Sequence, residues 1–186
     1  MQRALALPTV AVALLLLTSC TPSPAAETPT TSPSTTADAP IFETEEEAVA
    51  AADEVIQQYW TTTNEVFQSG GLRIEKLESI VTERRMQSER QLADSFQEQQ
   101  LVQTGNFRAE ATSFQQMFND DDTTVLIVTT CVDSGEVEAR FSDGRLVQRI
   151  SEEPRYLHEV TLHVTANGSD LAVRLDESEP WTDFTC

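Results

Sequence analysis

Two histidines, three cysteines and a run of three aspartates are the side chains of this 186-residue chain whose chemistry is worth placing first. General acid–base work needs an ionisable group turned inward, in a dry setting that draws its pKa toward the working pH. His158 meets the first condition best, because it shares strand parity with Val160, Leu162 and Val164. Asp133, at the end of an apolar strand, and Tyr59, on a long helix, could face it. The same three residues also suit plainer duties. His158 fits a packed imidazole with one backbone partner, Tyr59 a core aromatic, and Asp133 a turn residue ahead of Ser134-Gly135. Lone polar residues on apolar faces usually serve structure, so the plainer roles are the leading expectation.

The other chemistries fare worse. His158 and His163 are five apart on one strand, so they point to opposite faces and cannot share a metal ion. Asp120-Asp121-Asp122 lacks the remaining ligands of a calcium loop and reads as a solvated hairpin tip. There is no Gly-x-Ser-x-Gly elbow, and Gly70-Gly71 is not followed by a Walker lysine pattern. No pattern in the chain calls for a cofactor.

These candidates must be positioned by helices that precede strands. Ala48, Ala52, Val55, Ile56, Tyr59, Thr63, Val66 and Phe67 follow one helical face. Thr44 is placed to cap that helix, Glu45–Glu47 sit at its positive end, and Gly70-Gly71 ends it. A shorter helical segment is expected next, with Leu72, Leu77, Ile80 and Val81 as its apolar contacts. A third helix is expected from Thr82 to Gln103, carrying Met86, Ala93 and Phe96 and stopped by Gly105-Asn106.

From Phe107 the period changes to two. Phe107, Ala109 and Ala111 alternate with polar residues. Thr123 to Asp133 is apolar on both faces and belongs in mid-sheet. Glu136 to Gly144 reads as a polar loop, Arg145 to Ile150 as a strand, and Tyr156 to Thr165 as a strand. Asn167-Gly168 turns that last strand toward Leu171, Val173 and Leu175. Three N-terminal helices followed by about four to six antiparallel strands predict an α+β domain over 41–186.

The N-terminal forty residues differ in kind. Arg3 precedes an apolar run from Ala4 to Leu17, too short at 1.5 Å per residue for a bilayer core of about 30 Å. A charged start and a short apolar stretch fit an export signal over 1–19. The run ends in Leu17-Thr18-Ser19-Cys20. This tetrad resembles the lipobox of bacterial lipoproteins, which implies cleavage before Cys20 and a lipid anchor on its sulfur. From Thr21 to Pro40, fourteen of twenty residues are Pro, Ser or Thr and none is a large apolar residue. With Cys20, this stretch (20–40) is expected to act as a disordered tether.

The charge narrows the partners. The chain carries 12 Lys+Arg against 31 Asp+Glu, a net −19 that becomes −20 when cleavage removes Arg3. So acidic a surface repels phosphate backbones, which argues against nucleic acid. The expected location is the extracytoplasmic side of the cell membrane, with the membrane itself held through Cys20.

For the domain, Tyr59-Trp60, Gly105, Cys131-Val132-Asp133-Ser134, Trp181 and Cys186 stand at the places where small actinobacterial lipoproteins with an NTF2-like (cystatin-like cone, SnoaL-like) domain carry similar residues. That resemblance, over about residues 43–186, implies a bent sheet cupped around helices. With Cys20 lipidated, Cys131 and Cys186 remain in an oxidising compartment, where one disulfide is the simplest arithmetic. Two functional expectations follow. The first is a non-catalytic domain that binds a protein, an envelope component or a small ligand, with a homodimer through the sheet as one further association. The second is an NTF2-like isomerase, dehydratase or hydrolase of the envelope, using His158 and Asp133 with Tyr59 nearby.

Overall fold

Thr44 opens the first helix as a cap, its hydroxyl accepting from the Glu47 amide at 3.1 Å while the Glu47 carboxylate accepts from the Glu43 amide at 2.8 Å. The computed structural model describes residues 41–147, 154–167, 170–181 and 184–186. The expected signal (1–19), Cys20 and the expected tether (21–40) lie outside the described residues. So do Gly168 of the expected hairpin turn and residues 148–150 of the strand expected after Gly144.

Helix α1 spans Glu45–Gln68 and buries Ala48, Ala52, Ile56, Tyr59, Trp60, Thr63, Asn64, Val66 and Phe67. Gly70 and Gly71 then take positive φ angles of 75° and 82°, and the Gly71 amide donates to Val66 O at 3.0 Å, satisfying a terminal carbonyl.

The expectation of three helices is corrected here. Among the described residues there are two α-helices, α1 and α2 (Glu83–Glu98), and between them only a four-residue 3-10 turn, Ile74–Leu77. The physical reason lies in competition for backbone groups. Thr82 N donates to Leu175 O at 2.9 Å and Leu175 N to Ile80 O at 3.0 Å, so the segment ends extended, against a strand. Leu77, Ile80 and Val81 are buried without forming a helical face, and Leu72 is exposed.

Helix α2 also stops earlier than its sequence pattern suggests. Gln100 turns the chain at φ 55°, and Leu101–Thr104 becomes strand β1. Its partner is β4, Glu138–Phe141, inside the stretch expected to be loop. Leu101 and Gln103 are buried in this two-stranded sheet, which gives the segment an inward face that helical periodicity did not.

The larger sheet runs in the order β2–β3–β5–β6, all antiparallel: β2 Arg108–Asp120, β3 Thr123–Asp133, β5 Arg155–Asn167 and β6 Asp170–Trp181. Among the described residues no closed barrel forms, and a mostly-sheet architecture in two separate sheets replaces the expected cone of three helices on one sheet.

Register decides which residues face the helices. Leu126 pairs with Leu162, Val128 with Val160 and Val132 with Tyr156. Leu126, Val128, Val132, Val160, Leu162, Val164 and Leu175 form one cluster with Ala48, Ala52, Ile56, Tyr59 and Trp60 of α1. The helix-facing side of β3 and β5 is therefore the even-numbered one. A smaller cluster, Val66, Phe67 and Ala93 with Ile74 and Phe96 against it, ties α1 to α2. Strand β2 is interrupted by two bulges, and Ala111 in the first takes a positive φ of 56°.

Candidate functional site

Tyr59 is the most enclosed of the three acid–base candidates, 2% exposed at the centre of α1. Its hydroxyl donates to Glu89 Oε1 at 2.6 Å and accepts from Arg85 Nη2 at 2.7 Å. Arg85 Nε also donates to Glu89 Oε1, at 2.8 Å, which closes a three-membered polar cluster between α1 and α2. Burial raises the Tyr59 pKa well above its ordinary value, and the Glu89 charge adds to the rise. The phenol stays protonated and its proton is committed to Glu89. Glu89 is 3% exposed and tolerable there because Arg85 and Tyr59 both satisfy the same oxygen.

His158 lies on the helix-facing side of β5, partly buried. Its Nδ1 is 3.0 Å from Ser178 Oγ on β6, and its ring stands at 90° to that of Trp60 with centroids 6.0 Å apart. Burial, and after it the Arg85 charge, lowers its pKa to about 4. A histidine held that low is neutral at pH 7 and poorly matched to general-base work near neutrality. Its partner is a serine side chain, where the sequence suggested a backbone group.

Asp133 does not join them. Thr130 is the residue opposite His158, and the β3–β5 register is unbroken, so odd-numbered Asp133 points to the outer face of the sheet while His158 points inward. Its Oδ1 accepts from the Gly135 amide at 2.8 Å, the expected turn contact. Tyr59 and His158 thus share the helix-facing layer, linked through Trp60 and the field of Arg85, and Asp133 stands apart from both.

The largest polar feature missed from the sequence is a row of amides on α1. Gln57 Nε2 donates to Ala109 O at 2.9 Å, Asn64 Nδ2 to Phe107 O at 3.0 Å and Gln68 Nε2 to Gly105 O at 2.9 Å. Asn64 Oδ1 in turn accepts from the Phe107 amide and from Gln103 Nε2, both at 2.9 Å. The row stitches the helix to the carbonyls of residues 105–109. It also borders an open groove of about 450 Å³ that includes Trp60, Thr61 and Arg108. The spacing 57, 64, 68 was visible as a polar helical stripe. Nothing local distinguished it from a solvated face.

A second buried charge sits in the middle of β6, the strand at one edge of the larger sheet. Asp176 receives hydrogen bonds from Thr82 Oγ1 and Arg84 Nη2, and His163 Nε2 is 3.5 Å away. Burial pushes its pKa up, but the bonds from Arg84 and Thr82 with the His163 and Arg84 charges outweigh it and hold the carboxyl below its ordinary value. His158 and His163 have separate partners on opposite faces. Among the described residues no group of three or more His, Cys, Asp or Glu is placed to hold a metal ion, and no helix is long and apolar enough to cross a membrane.

The two domain cysteines are brought together. Cys131 and Cys186, 55 positions apart in sequence, form a disulfide with their Cα atoms 6.0 Å apart. Because Cys131 is odd-numbered, the bond lies on the outer face of the sheet, pinning the chain's last residues there.

No sequence profile of a known family matches this chain, and no curated protein sequence matches it. In structure it is similar to the crystal structure of the intermembrane space region of chloroplast protein ARC6, with a TM-score of 0.49 and 12% identity, over 71% of this chain and 95% of that one.

Proposed function

We propose that this chain is a lipid-anchored extracytoplasmic protein, held to the membrane at Cys20, whose folded domain binds a partner and catalyses nothing. The observation that carries the binding reading is where the acid–base candidates spend their hydrogen bonds. Tyr59 is closed off by Glu89 and Arg85, His158 rests against Ser178 and Trp60, and Asp133 caps a turn on the other face. Catalysis through His158 and Asp133 needs both groups on one substrate, and a sheet stands between them. The anchor rests on Leu17-Thr18-Ser19-Cys20 following a short apolar run, and the Pro/Ser/Thr-rich stretch after it suits a spacer.

The partner class is a protein or envelope component without a polyanionic backbone, given the net charge of −19. The outer sheet face offers it Phe118, 46% exposed and opposite Val125, and the chain end offers Phe184, 58% exposed. A second copy of the chain is one such partner.

Crosslinking in intact envelopes, followed by affinity capture and mass identification, tests the binding reading. A partner recovered with the wild-type chain and lost with Phe118→Glu supports it. Turnover of an envelope metabolite that is abolished by His158→Gln would overturn it. Cys20→Ala tests the anchor: the protein should leave the membrane fraction, and retention there refutes lipidation.

A further inference from the structure

The two sulfurs of the Cys131–Cys186 bond have unlike surroundings. Cys131 is 4% exposed, on central strand β3, whereas Cys186 is exposed. Arg155 Nη2 donates to Cys131 Sγ at 3.6 Å and to Glu110 Oε2 at 2.7 Å. The buried Nε of Arg155 has no acceptor among the described residues, so the guanidinium keeps donor capacity beside the sulfur. Besides the bond itself, the contacts of the chain end among the described residues include Leu157 N to Phe184 O at 3.3 Å, Phe184 N to Trp181 O at 3.0 Å, and the Trp181–Phe184 ring pair, 5.6 Å between centroids.

Thiol–disulfide exchange is an in-line displacement: the attacking thiolate approaches along the S–S axis, from the side opposite the leaving sulfur. Cys131 is buried, so attack on its sulfur is hindered. Attack on Cys186 comes from the exposed chain end. The sulfur expelled in the second case is Cys131 Sγ, and a cation within hydrogen-bond reach stabilises it as an anion.

We propose that Cys186 is a modification site for low-molecular-weight thiols, with Cys131 as a leaving group assisted by Arg155. The incoming thiolate forms a new S–S bond to Cys186 Sγ, the Cys131–Cys186 bond breaks, and its electron pair departs on Cys131 Sγ. One disulfide is exchanged for another, so no oxidant or reductant is consumed. The reverse attack by the Cys131 thiolate restores the internal bond and expels the small thiol. While Cys186 carries the adduct, the covalent pin between the chain end and β3 is absent. This goes beyond the binding role above and does not depend on it.

The test uses the full chain in native buffer at pH 8 with 2-mercaptoethanol, a small thiol that carries no charge beyond that of its thiolate. Timed samples are quenched in acid and mapped by peptide mass spectrometry. The first adduct is expected on Cys186 at about ten times or more the level on Cys131, with the urea unfolding transition retained. Arg155→Leu should slow opening about fivefold and Glu110→Gln should speed it about twofold, since the latter frees the guanidinium from a competing carboxylate. If Arg155→Leu loses its cooperative transition, Glu110→Gln alone decides the role of the arginine. An adduct equally or mainly on Cys131, no adduct until denaturant is added, or wild-type rates in the variants would each overturn the proposal.

Discussion

His158 makes stability depend on pH in a calculable way. Its folded pKa is lowered to about 4 from its ordinary 6.5, by burial first and then by the Arg85 charge. The unfolded chain therefore binds a proton that the folded chain refuses between these two values. Stability from this residue is complete above about pH 6.5 and is lost as pH falls toward about 4. For the full shift, linkage gives a loss of about 2 kcal/mol at pH 5 and about 3 kcal/mol at pH 4, relative to pH 7.5. Partial solvent contact at His158 trims those figures to roughly 1–2 kcal/mol.

The assay is urea unfolding at pH 7.5, 6, 5 and 4 for wild type and for His158→Asn, which keeps a polar atom near Ser178 and cannot titrate there. Both chains lose stability in acid through their carboxylates, Asp176 among them, because its pKa is lowered in the folded state. The informative quantity is the difference between the two chains. Wild type should lose an additional 1–2 kcal/mol or so between pH 7.5 and pH 5, while the variant follows only the carboxylate background. A pH-independent difference, or an NMR titration of His158 near 6.5, would refute the burial argument.

Other substitutions test other parts of the structure. Tyr59→Phe leaves Glu89 and Arg85 buried without the hydroxyl between them and should cost about 1–3 kcal/mol by chemical denaturation. Gly105→Ala meets two obstacles, a φ of 71° and a backbone oxygen of Glu136 only 1.8 Å from the added Cβ. It should cost about 3 kcal/mol or more, seen as a large drop in melting temperature. Ala111→Gly relieves a non-glycine positive φ of 56° in the β2 bulge, and a gain of about 0.5–1 kcal/mol in the same assay is expected. Removing the disulfide with Cys131→Ser and Cys186→Ser together should cost about 4 kcal/mol in the chain-entropy account, read from the urea midpoint.

Much of the scaffold could be read from local pattern. Helix α1 announces itself through Thr44, the three glutamates after it, the apolar face and the two closing glycines, because capping and amphipathicity are written within a few turns. Strand β3 announces its central place by being apolar on both faces, and it lies between β2 and β5. The segment after α1 shows the limit. Leu77, Ile80 and Val81 are buried as their apolarity suggests, yet Leu175, ninety-odd positions away, claims the backbone groups a helix would have used. In the same way β1 and β4 exist only as a pair, each too short and polar to be recognised without the other.

The candidate site divides along the same line. From sequence, His158 could be assigned to the face of Val160, Leu162 and Val164, because alternation along one strand is local. Which face of β3 lay on that side could not be assigned, since both were apolar, and so Asp133 looked available. The pairing of Thr130 with His158 settled the matter and put Asp133 behind the sheet. Arg85 and Glu89 pair at i, i+4 on α2, and only packing brought the Tyr59 hydroxyl between them. Residue types and short-range periodicity thus determined helix α1, the central strand β3 and the charge, and they carry the expectation of an export and anchor motif. Strand register and helix docking, which depend on contacts far apart in the chain, decided which ionisable groups meet and which stay apart.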